Sequence, residues 1–461
     1  MSERAQWLIW ASLSGLAQLL IGWLAAEPPL QLTLSLSLVS IEGLSLAWLL
    51  WRHGPPSLPS ASLVAMICWL HACWWLMPPH SSEDVWRYLW DGSMWWRGGP
   101  TYLAAPSDEL YDALVERGPS LAWLRAQIGH AELSTIYPPG AQLLFRLVTS
   151  LGASLTLWRL SLLAAQLLSF VALRHMLSTR AKAEGLAALP LICPIWVFDC
   201  ALGAHLDAWA VALGLWGLAW VVTGRFGRAG LLFGLGASVK LIPALWAFTV
   251  GLSCLWRRAW ARALLLGAGF CSASLLCLLP LLSELMSARG VTGAEAYREG
   301  WLFNEGLFII YHALGRLFSG LTGLMSARSA ALFILALSLI LCAALVTRSS
   351  ARRGLELGQS AVVACSTVTA LLIVGSPVIY SWYLGWLIVG LSLRWADLSY
   401  RQLVFTWALL APLTYLPRCS SLAGGPWEIS AWWRVVEYLS LGLILAIRTR
   451  YTPTQSPQHI L

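Results

Sequence analysis

Two adjacent carboxylates, Glu83 and Asp84, follow an apolar stretch that ends near Met77. They therefore lie where a predicted membrane helix meets water. A charged side chain at the centre of a bilayer costs roughly 2.5–3.5 kcal/mol, so acids at this boundary are expected to face a polar cavity or an aqueous loop. A carboxylate in such a place can act as a general base, because partial desolvation raises its affinity for a proton. The structural alternative is that Asp84 caps the helix predicted over residues 85–96.

Three further polar side chains could contact a substrate. Asp91 lies seven residues after Asp84, on the same face of that helix, and could orient a substrate hydroxyl. His205 and Asp207 lie at the outer end of another predicted helix, where they could bind a polar substrate. They could equally form a helix cap and an ordinary hydrogen bond.

Lys240 lies with Pro243 at the centre of an apolar stretch over residues 229–255. An unpaired charge there would be costly, so Lys240 is a candidate for contacting an anionic group such as a phosphate. The alternatives are that it reaches the membrane interface or pairs with a buried acid. Arg298 and Arg87, both in predicted outside segments, are further candidates for this role.

The composition places these residues in a membrane protein. Of 461 residues, 58% are hydrophobic and 11% are charged, and the mean hydropathy is +0.68. A soluble domain has about 25% charged residues, so this class is excluded. Continuous apolar runs of about 17–22 residues recur along the chain, as a helix needs to cross a bilayer. The sequence thus predicts one all-α domain over residues 1–461, a polytopic bundle of about 12–14 transmembrane helices.

The predicted spans cover residues 6–26, 32–51, 60–77, 155–174, 185–202, 206–223, 263–283, 329–347, 358–376, 382–394, 402–417 and 431–447. The first is expected to be a retained helix that also directs insertion. The stretch 229–255 must turn back near Lys240, as a re-entrant hairpin or as two thin helices. A shorter apolar helix over residues 140–151, begun by Tyr137-Pro138-Pro139, is expected to lie in the membrane interface.

Orientation follows from the arginines and lysines, which flank alternate ends of the spans. The positive-inside rule puts these ends, both termini and a short tail over residues 448–461 in the cytoplasm. The first extracytoplasmic loop is then residues 78–154, and its part up to residue 136 holds eight acids against four arginines. The net charge of +8 for the chain is accordingly a topology signal and not a nucleic-acid footprint. We expect a multi-pass protein of the cytoplasmic membrane with its site on the outer face.

Tryptophan is abundant, with 29 residues. Most are expected to anchor the protein at the membrane interface. Several predicted outer positions could instead form aromatic walls that stack on a sugar ring or line a lipid chain. These are Trp86, Trp90, Trp95, Trp96, Trp301, Trp382, Trp386, Trp427, Trp432 and Trp433.

The order of short motifs resembles the GT-C glycosyltransferases, and most closely their polyprenyl-phosphate-mannose-dependent mannosyltransferases. The motifs are Asp84-x-x-x-Tyr88, Trp90-Asp91-Gly92, Gly99-Pro100-Thr101-Tyr102, Ile136-Tyr137-Pro138-Pro139, Ser238-Val239-Lys240-Leu241-Ile242-Pro243, Phe303-Asn304, Ser376-Pro377 and Trp382-Tyr383-Leu384. The chain departs from the pattern at two places. Glu83 and Asp84 are adjacent where one branch separates its acids by a residue, and Ser381 stands where many relatives have Pro or His.

The resemblance implies an enzyme that transfers a hexose, with mannose as the expected sugar, from a polyprenyl-phosphate-sugar to a lipid or glycan acceptor at the extracytoplasmic face. It implies Asp84 as the general base, with Glu83 as the alternative. It implies that the donor, the acceptor or both contact Tyr88, Asp91, Tyr137, His205, Asp207, Lys240 and Arg298. The chain contains neither a glycine-rich nucleotide loop nor a metal-ligand spacing, so no cofactor and no metal are expected.

A transporter or flippase of lipid-linked sugars is the main alternative, with the acids and Lys240 coupling ions. A transporter is expected to show inverted repeats in its hydropathy, and none is visible. The long acidic outside loop is also more than a transporter requires. A non-catalytic scaffold would give no reason for carboxylates beside an outer cavity.

Overall fold

The computed structural model describes residues 1–116, 118–287, 293, 295–296 and 300–451, with side chains in the last helix up to residue 443. Arg298, Arg117 and residues 452–461 of the predicted tail lie outside the described residues. Over the described part of the chain the regular structure is helical, apart from one isolated bridge between Phe303 and Val378. The predicted all-α fold is confirmed.

The helices of the first half are α1 (Glu3–Leu24), α2 (Pro28–His53), α3 (Ser60–Cys73), α4 (Asp84–Trp95), α5 (Asp112–Glu116), α6 (Pro119–Ala126), α7 (Pro139–Ser150), α8 (Leu155–Met176), α9 (Ala183–Ala188), α10 (Pro194–Ala201) and α11 (Asp207–Val222). Those of the second half are α12 (Phe226–Val239), α13 (Ile242–Trp256), α14 (Trp260–Leu278), α15 (Leu282–Ser287), α16 (Phe308–Thr322), α17 (Ala327–Arg352), α18 (Leu357–Gly375), α19 (Gly385–Leu393), α20 (Leu398–Leu410), α21 (Leu416–Leu422) and α22 (Ala431–Tyr451). Short 3-10 turns extend several of them.

In the described part of the chain, six helical segments are long and apolar enough to cross a membrane. They are α1, α2, α8, α17, α18 and the segment Trp260–Ser287. The predicted single span over 185–202 is instead a pair of helices bent by 57°, which would be a seventh. Pro194 begins the second helix of that pair, and because proline lacks an N–H it cannot continue the helix before it. Five shorter apolar helices, including α11, α12 and α13, complete a multi-pass bundle.

Helix α16 lies outside all of the predicted spans. Residues Phe308–Thr322 form α16, which packs against α17. His312 and Arg316 interrupt its apolar residues, so the segment does not read as a membrane span. Because the segment is short and contains these polar residues, hydropathy alone does not identify it as a helix.

The stretch around Lys240 forms two helices, which is the second of the two arrangements predicted for it. Helix α12 ends at Val239, Lys240 is extended, and α13 begins at Ile242 with Pro243 in its first turn. The start of helix α7 packs closely against this break. A Cβ added to Gly140 would lie only 2.6 Å from the Cβ of Ser238. Only glycine allows this approach, and it places the Tyr137-Pro138-Pro139 motif beside the break.

Candidate active site

Asp84 is the first residue of α4 and does not cap it. The N-cap position is Glu83, which makes no side-chain capping bond, while the Ser82 hydroxyl accepts a hydrogen bond from the Asp84 backbone N–H at 3.2 Å. The capping interpretation of Asp84 is therefore wrong. Its side chain is 39% exposed, and its Oδ2 lies 3.5 Å from Nδ1 of the fully buried His205. The carboxylate thus borders open space on one side and an imidazole on the other.

Glu83 is engaged elsewhere. Its Oε1 lies 2.8 Å from the Arg418 guanidinium, which also donates to the His80 carbonyl at 2.9 Å. A proton on Glu83 would break this ion pair, whereas no Lys or Arg in the described ranges pairs with Asp84. The geometry therefore favours Asp84 over its neighbour as a proton acceptor.

Lys240 forms an ion pair with Asp207. The sequence predicted Asp207 at the outer end of another helix but did not indicate this pairing. The Lys240 Nζ lies 2.7 Å from both carboxylate oxygens, and the Trp386 indole N–H donates to Oδ1 at 2.9 Å. The ammonium also lies 4.4 Å from the centre of the Tyr383 ring. The Asp207 side chain is buried, but that of Lys240 is 25% exposed. Lys240 is thus the partner of a buried acid, and its side chain is still partly exposed.

The segment Ser381–Trp386 contacts both His205, which lies next to Asp84, and the Lys240–Asp207 pair. The Trp382 ring stacks on His205, with centroids 3.7 Å apart and an interplanar angle of 18°. Tyr383 lies under Lys240, and Trp386 holds Asp207. Since His205 and Asp207 are themselves separated by one residue, Asp84, His205, Asp207 and Lys240 form one continuous site. We call these four residues the polar site.

Sequence reasoning missed a buried acid behind the polar site. Asp199 Oδ1 accepts hydrogen bonds from the Ser381 hydroxyl at 2.9 Å and from the Tyr415 hydroxyl at 2.5 Å, while Oδ2 is buried without a partner. Ser381, noted as a departure from the family pattern, therefore has a partner of its own. The available signal was Asp199 itself, an acid in an apolar stretch six residues before His205.

Tyr88 and Tyr137 contribute a buried aromatic wall. The two rings meet edge to face at 5.1 Å, and Tyr88 also stacks on Phe145 at 4.8 Å. Burial raises the pKa of the Tyr88 phenol well above its usual value, and the charges of Asp84 and Asp207 raise it further. Burial also raises the pKa of Tyr137. Both phenols therefore stay neutral.

Asp91 faces the protein and not the polar site. Its Oδ1 accepts from the Arg87 Nε at 2.8 Å and its Oδ2 from the Gln142 amide at 2.7 Å, and its side chain is 1% exposed. Arg87 donates in addition to the Leu133 carbonyl. These contacts fasten α4 to α7 and to the loop between them, so the structure does not bring Asp91 or Arg87 to the polar site.

Trp382 is sandwiched and cannot offer a face to a sugar. Tyr380 stacks on it with centroids 4.3 Å apart and an angle of 11°, and His205 stacks at 3.7 Å. Two rings centred so closely over one indole would collide on the same face, so they occupy opposite faces. The expectation that this residue forms a sugar platform does not fit the structure. Its neighbour Trp301 donates its indole N–H to the Tyr380 hydroxyl at 2.9 Å.

The described residues contain no group of three or more His, Cys, Asp or Glu side chains arranged to hold a metal ion.

A model of a known family matches the first part of the chain. Residues 4–256 match the family described as alpha-(1->6)-mannopyranosyltransferase, N-terminal domain. The match covers more than half of the chain and includes all four residues of the polar site, whereas the segment Ser381–Trp386 lies beyond it. Neither a curated protein nor a solved structure matches the chain.

Proposed function

The chain belongs to the alpha-(1->6)-mannopyranosyltransferase family and is a multi-pass membrane mannosyltransferase, and from this premise we propose its reaction in full. Mannose is transferred from a polyprenyl-phosphate-linked donor to a hydroxyl of a lipid or glycan acceptor. The reaction takes place at the extracytoplasmic face of the cytoplasmic membrane, with both termini in the cytoplasm.

The observation that carries the proposal is the contrast between Asp84 and Lys240 within one site. Asp84 has a partly exposed carboxylate without a Lys or Arg partner in the part of the chain described, so it can accept a proton. Lys240 has a partly exposed side chain whose ammonium is held in place by a buried acid, so it can contact a phosphate. Transfer from a sugar phosphate requires both a base and a cation in one site.

In the proposed step, the acceptor oxygen attacks the anomeric carbon of the donor sugar. Its hydroxyl proton passes to Asp84 as the new carbon–oxygen bond forms. The bond between the anomeric carbon and the phosphate oxygen breaks, and its electron pair leaves with the polyprenyl phosphate next to Lys240. A preorganised cation at the leaving group lowers the barrier because negative charge develops there.

A single displacement of this kind inverts the anomeric carbon. An α-linked product, as the family description names, would then require a donor in which mannose is β-linked to the phosphate. The transporter alternative explains neither the family membership nor a partly exposed carboxylate that has no Lys or Arg partner among the described residues.

The choice of donor tests the proposal directly. Membranes or purified protein should transfer labelled mannose from polyprenyl-phosphate-mannose and not from a nucleotide-mannose, since the chain has no glycine-rich nucleotide loop. Transfer is measured as label in the extracted lipid and glycan fractions. The control is the same assay with Asp84→Asn protein at equal expression, which excludes other transferases in the membrane. Transfer from the nucleotide sugar alone would contradict the proposal.

Topology provides a second prediction, because a lipid donor outside the cell requires the polar site to face outward. Single cysteines at the exposed residues Ser107 and Arg353, in a protein otherwise free of cysteine, should differ in labelling by an impermeant thiol reagent. Ser107 should react in intact cells, and Arg353 only after permeabilisation. The reverse pattern would place the polar site in the cytoplasm and exclude an extracytoplasmic donor.

A further inference from the structure

His205 is a buried imidazole with one ring nitrogen close to the Asp84 carboxylate. Its side chain is fully buried, and neither ring nitrogen has a hydrogen-bond partner within 3.5 Å that satisfies the angles. Its Nδ1 lies 3.5 Å from Asp84 Oδ2. An unpaired polar group in a protein interior is costly, so a contact that forms in the substrate complex is expected here.

The loop that carries His205 is held rigidly. Ala204 has a left-handed backbone with φ of +57°, a conformation that is strained for a non-glycine residue. The Trp158 indole N–H donates to the Ala204 carbonyl at 2.8 Å, and the His205 N–H donates to the Asp199 carbonyl. A side chain on Gly203 would meet the imidazole at 2.9 Å, so glycine is required at this approach. Strain of this kind persists only where the surroundings determine it, and it is common at active sites.

Arg159 ties this loop to the segment that precedes Asp84. Its guanidinium, buried in α8, donates to the carbonyls of Trp75 and Met77 at 3.1 and 2.9 Å and to that of Leu202 at 3.1 Å. Met77 lies just before the loop with Asp84, and Leu202 lies three residues before His205. One cation therefore fixes the register between the two segments that bring the carboxylate and the imidazole together.

A column of stacked rings fixes the plane of the imidazole. His205 stacks on Trp382, Trp382 on Tyr380, and Tyr380 on Phe303 with centroids 4.6 Å apart. The base of the column is anchored by backbone hydrogen bonds from Phe303 to Pro377 and from Ile379 to Phe303. With one face covered by Trp382 and its surroundings closed, the imidazole cannot turn to present both nitrogens to a sugar.

We propose that His205 is a positioning residue that donates its Nδ1–H to Asp84 Oδ2 and so aims the other carboxylate oxygen at the acceptor hydroxyl. This role differs from the sugar contact expected from the sequence, and it rests on the proposed function of Asp84 as the base. Catalytic hydrogen bonds are often long before substrate binds and shorten in the reacting complex, as the 3.5 Å separation requires. A fixed carboxylate also avoids the rate loss that follows from small misplacements of a catalytic group.

Three variants of His205 distinguish the contribution of the Nδ1–H from that of the aromatic ring. His205→Phe keeps an aromatic ring on Trp382 and removes both nitrogens. His205→Asn places an amide N–H near the position of Nδ1, and His205→Gln, the matched control, places the same amide near Nε2. We expect His205→Phe to lower kcat about 10- to 100-fold with little change in KM for either substrate, because orientation and not binding is lost. His205→Asn should retain clearly more kcat than His205→Gln or His205→Phe.

Thermal stability of the purified variants reports on folding, and kcat is compared between variants of equal stability. A rise in KM for donor or acceptor with kcat unchanged would assign His205 to sugar binding and overturn the proposal, as would equal activity of the Asn and Gln variants. The proposed function fails separately, through an active Asp84→Asn protein. An inactive Asp84→Asn with a fully active His205→Phe would reject only the role of His205.

Discussion

Asp84→Asn is expected to abolish mannose transfer while leaving the protein folded. Asparagine has nearly the shape of aspartate but cannot accept the hydroxyl proton. Loss of a general base typically lowers the rate by about 100- to 10,000-fold, or about 3–5 kcal/mol of barrier. Because Asp84 makes no capping bond, and the Ser82 hydroxyl still accepts from the backbone N–H, the start of α4 should be unchanged. The measurement is transfer from labelled lipid donor at matched expression, with the melting temperature of the purified protein.

Glu83→Gln is the matched control at the adjacent position. It breaks the ion pair with Arg418 and should affect stability more than the rate, since a pair with a 41% exposed carboxylate contributes at most about 1 kcal/mol. We expect its kcat to stay within a few-fold of wild type. An inactive Glu83→Gln together with an active Asp84→Asn would make Glu83 the base. Activity of both variants would exclude the loop after Met77 as the catalytic one.

The helices could largely be predicted, because lipid exposure demands continuous apolar runs and the sequence displays them. The break at Lys240 was predictable for a related reason: a lysine and a proline in the middle of an apolar stretch cannot continue a membrane helix at low cost. Helix α16 was not predictable from hydropathy, since His312 and Arg316 break its apolar pattern.

The contacts within the polar site were beyond sequence reasoning for a different reason. Lys240 and Asp207 were both recognised, but that they pair depends on how α11 packs against α12. Trp386 donates a hydrogen bond to Asp207 although 179 residues separate them in the sequence, and no local sequence pattern predicts such a contact. Asp91 illustrates the opposite error. Its position on the face of Asp84 was judged from helical spacing, yet its side chain is satisfied by Arg87 and Gln142 on the packed side.

Lys240→Met is expected to weaken the apparent affinity for the lipid donor strongly. A charge-assisted hydrogen bond contributes about 1.5–3 kcal/mol, which corresponds to a rise in donor KM of roughly 10- to 150-fold. The acceptor KM should change little, and Lys240→Arg should retain part of the function as another cation, though with altered geometry. The measurement is the dependence of the transfer rate on donor and on acceptor concentration, each at saturation of the other.

The pair with Asp207 requires a control. Lys240→Met leaves a buried carboxylate whose remaining side-chain partner, among the described residues, is the Trp386 N–H. Removing one partner of a buried pair can destabilise a protein by roughly 3–5 kcal/mol, whereas removing both charges is often nearly neutral. The double variant Lys240→Met/Asp207→Asn should therefore recover the melting temperature. If Lys240 binds the donor phosphate, the double variant stays defective in donor KM despite its stability. If the double variant instead recovers wild-type donor dependence, Lys240 serves only to neutralise Asp207, and the leaving phosphate must be stabilised by another cation.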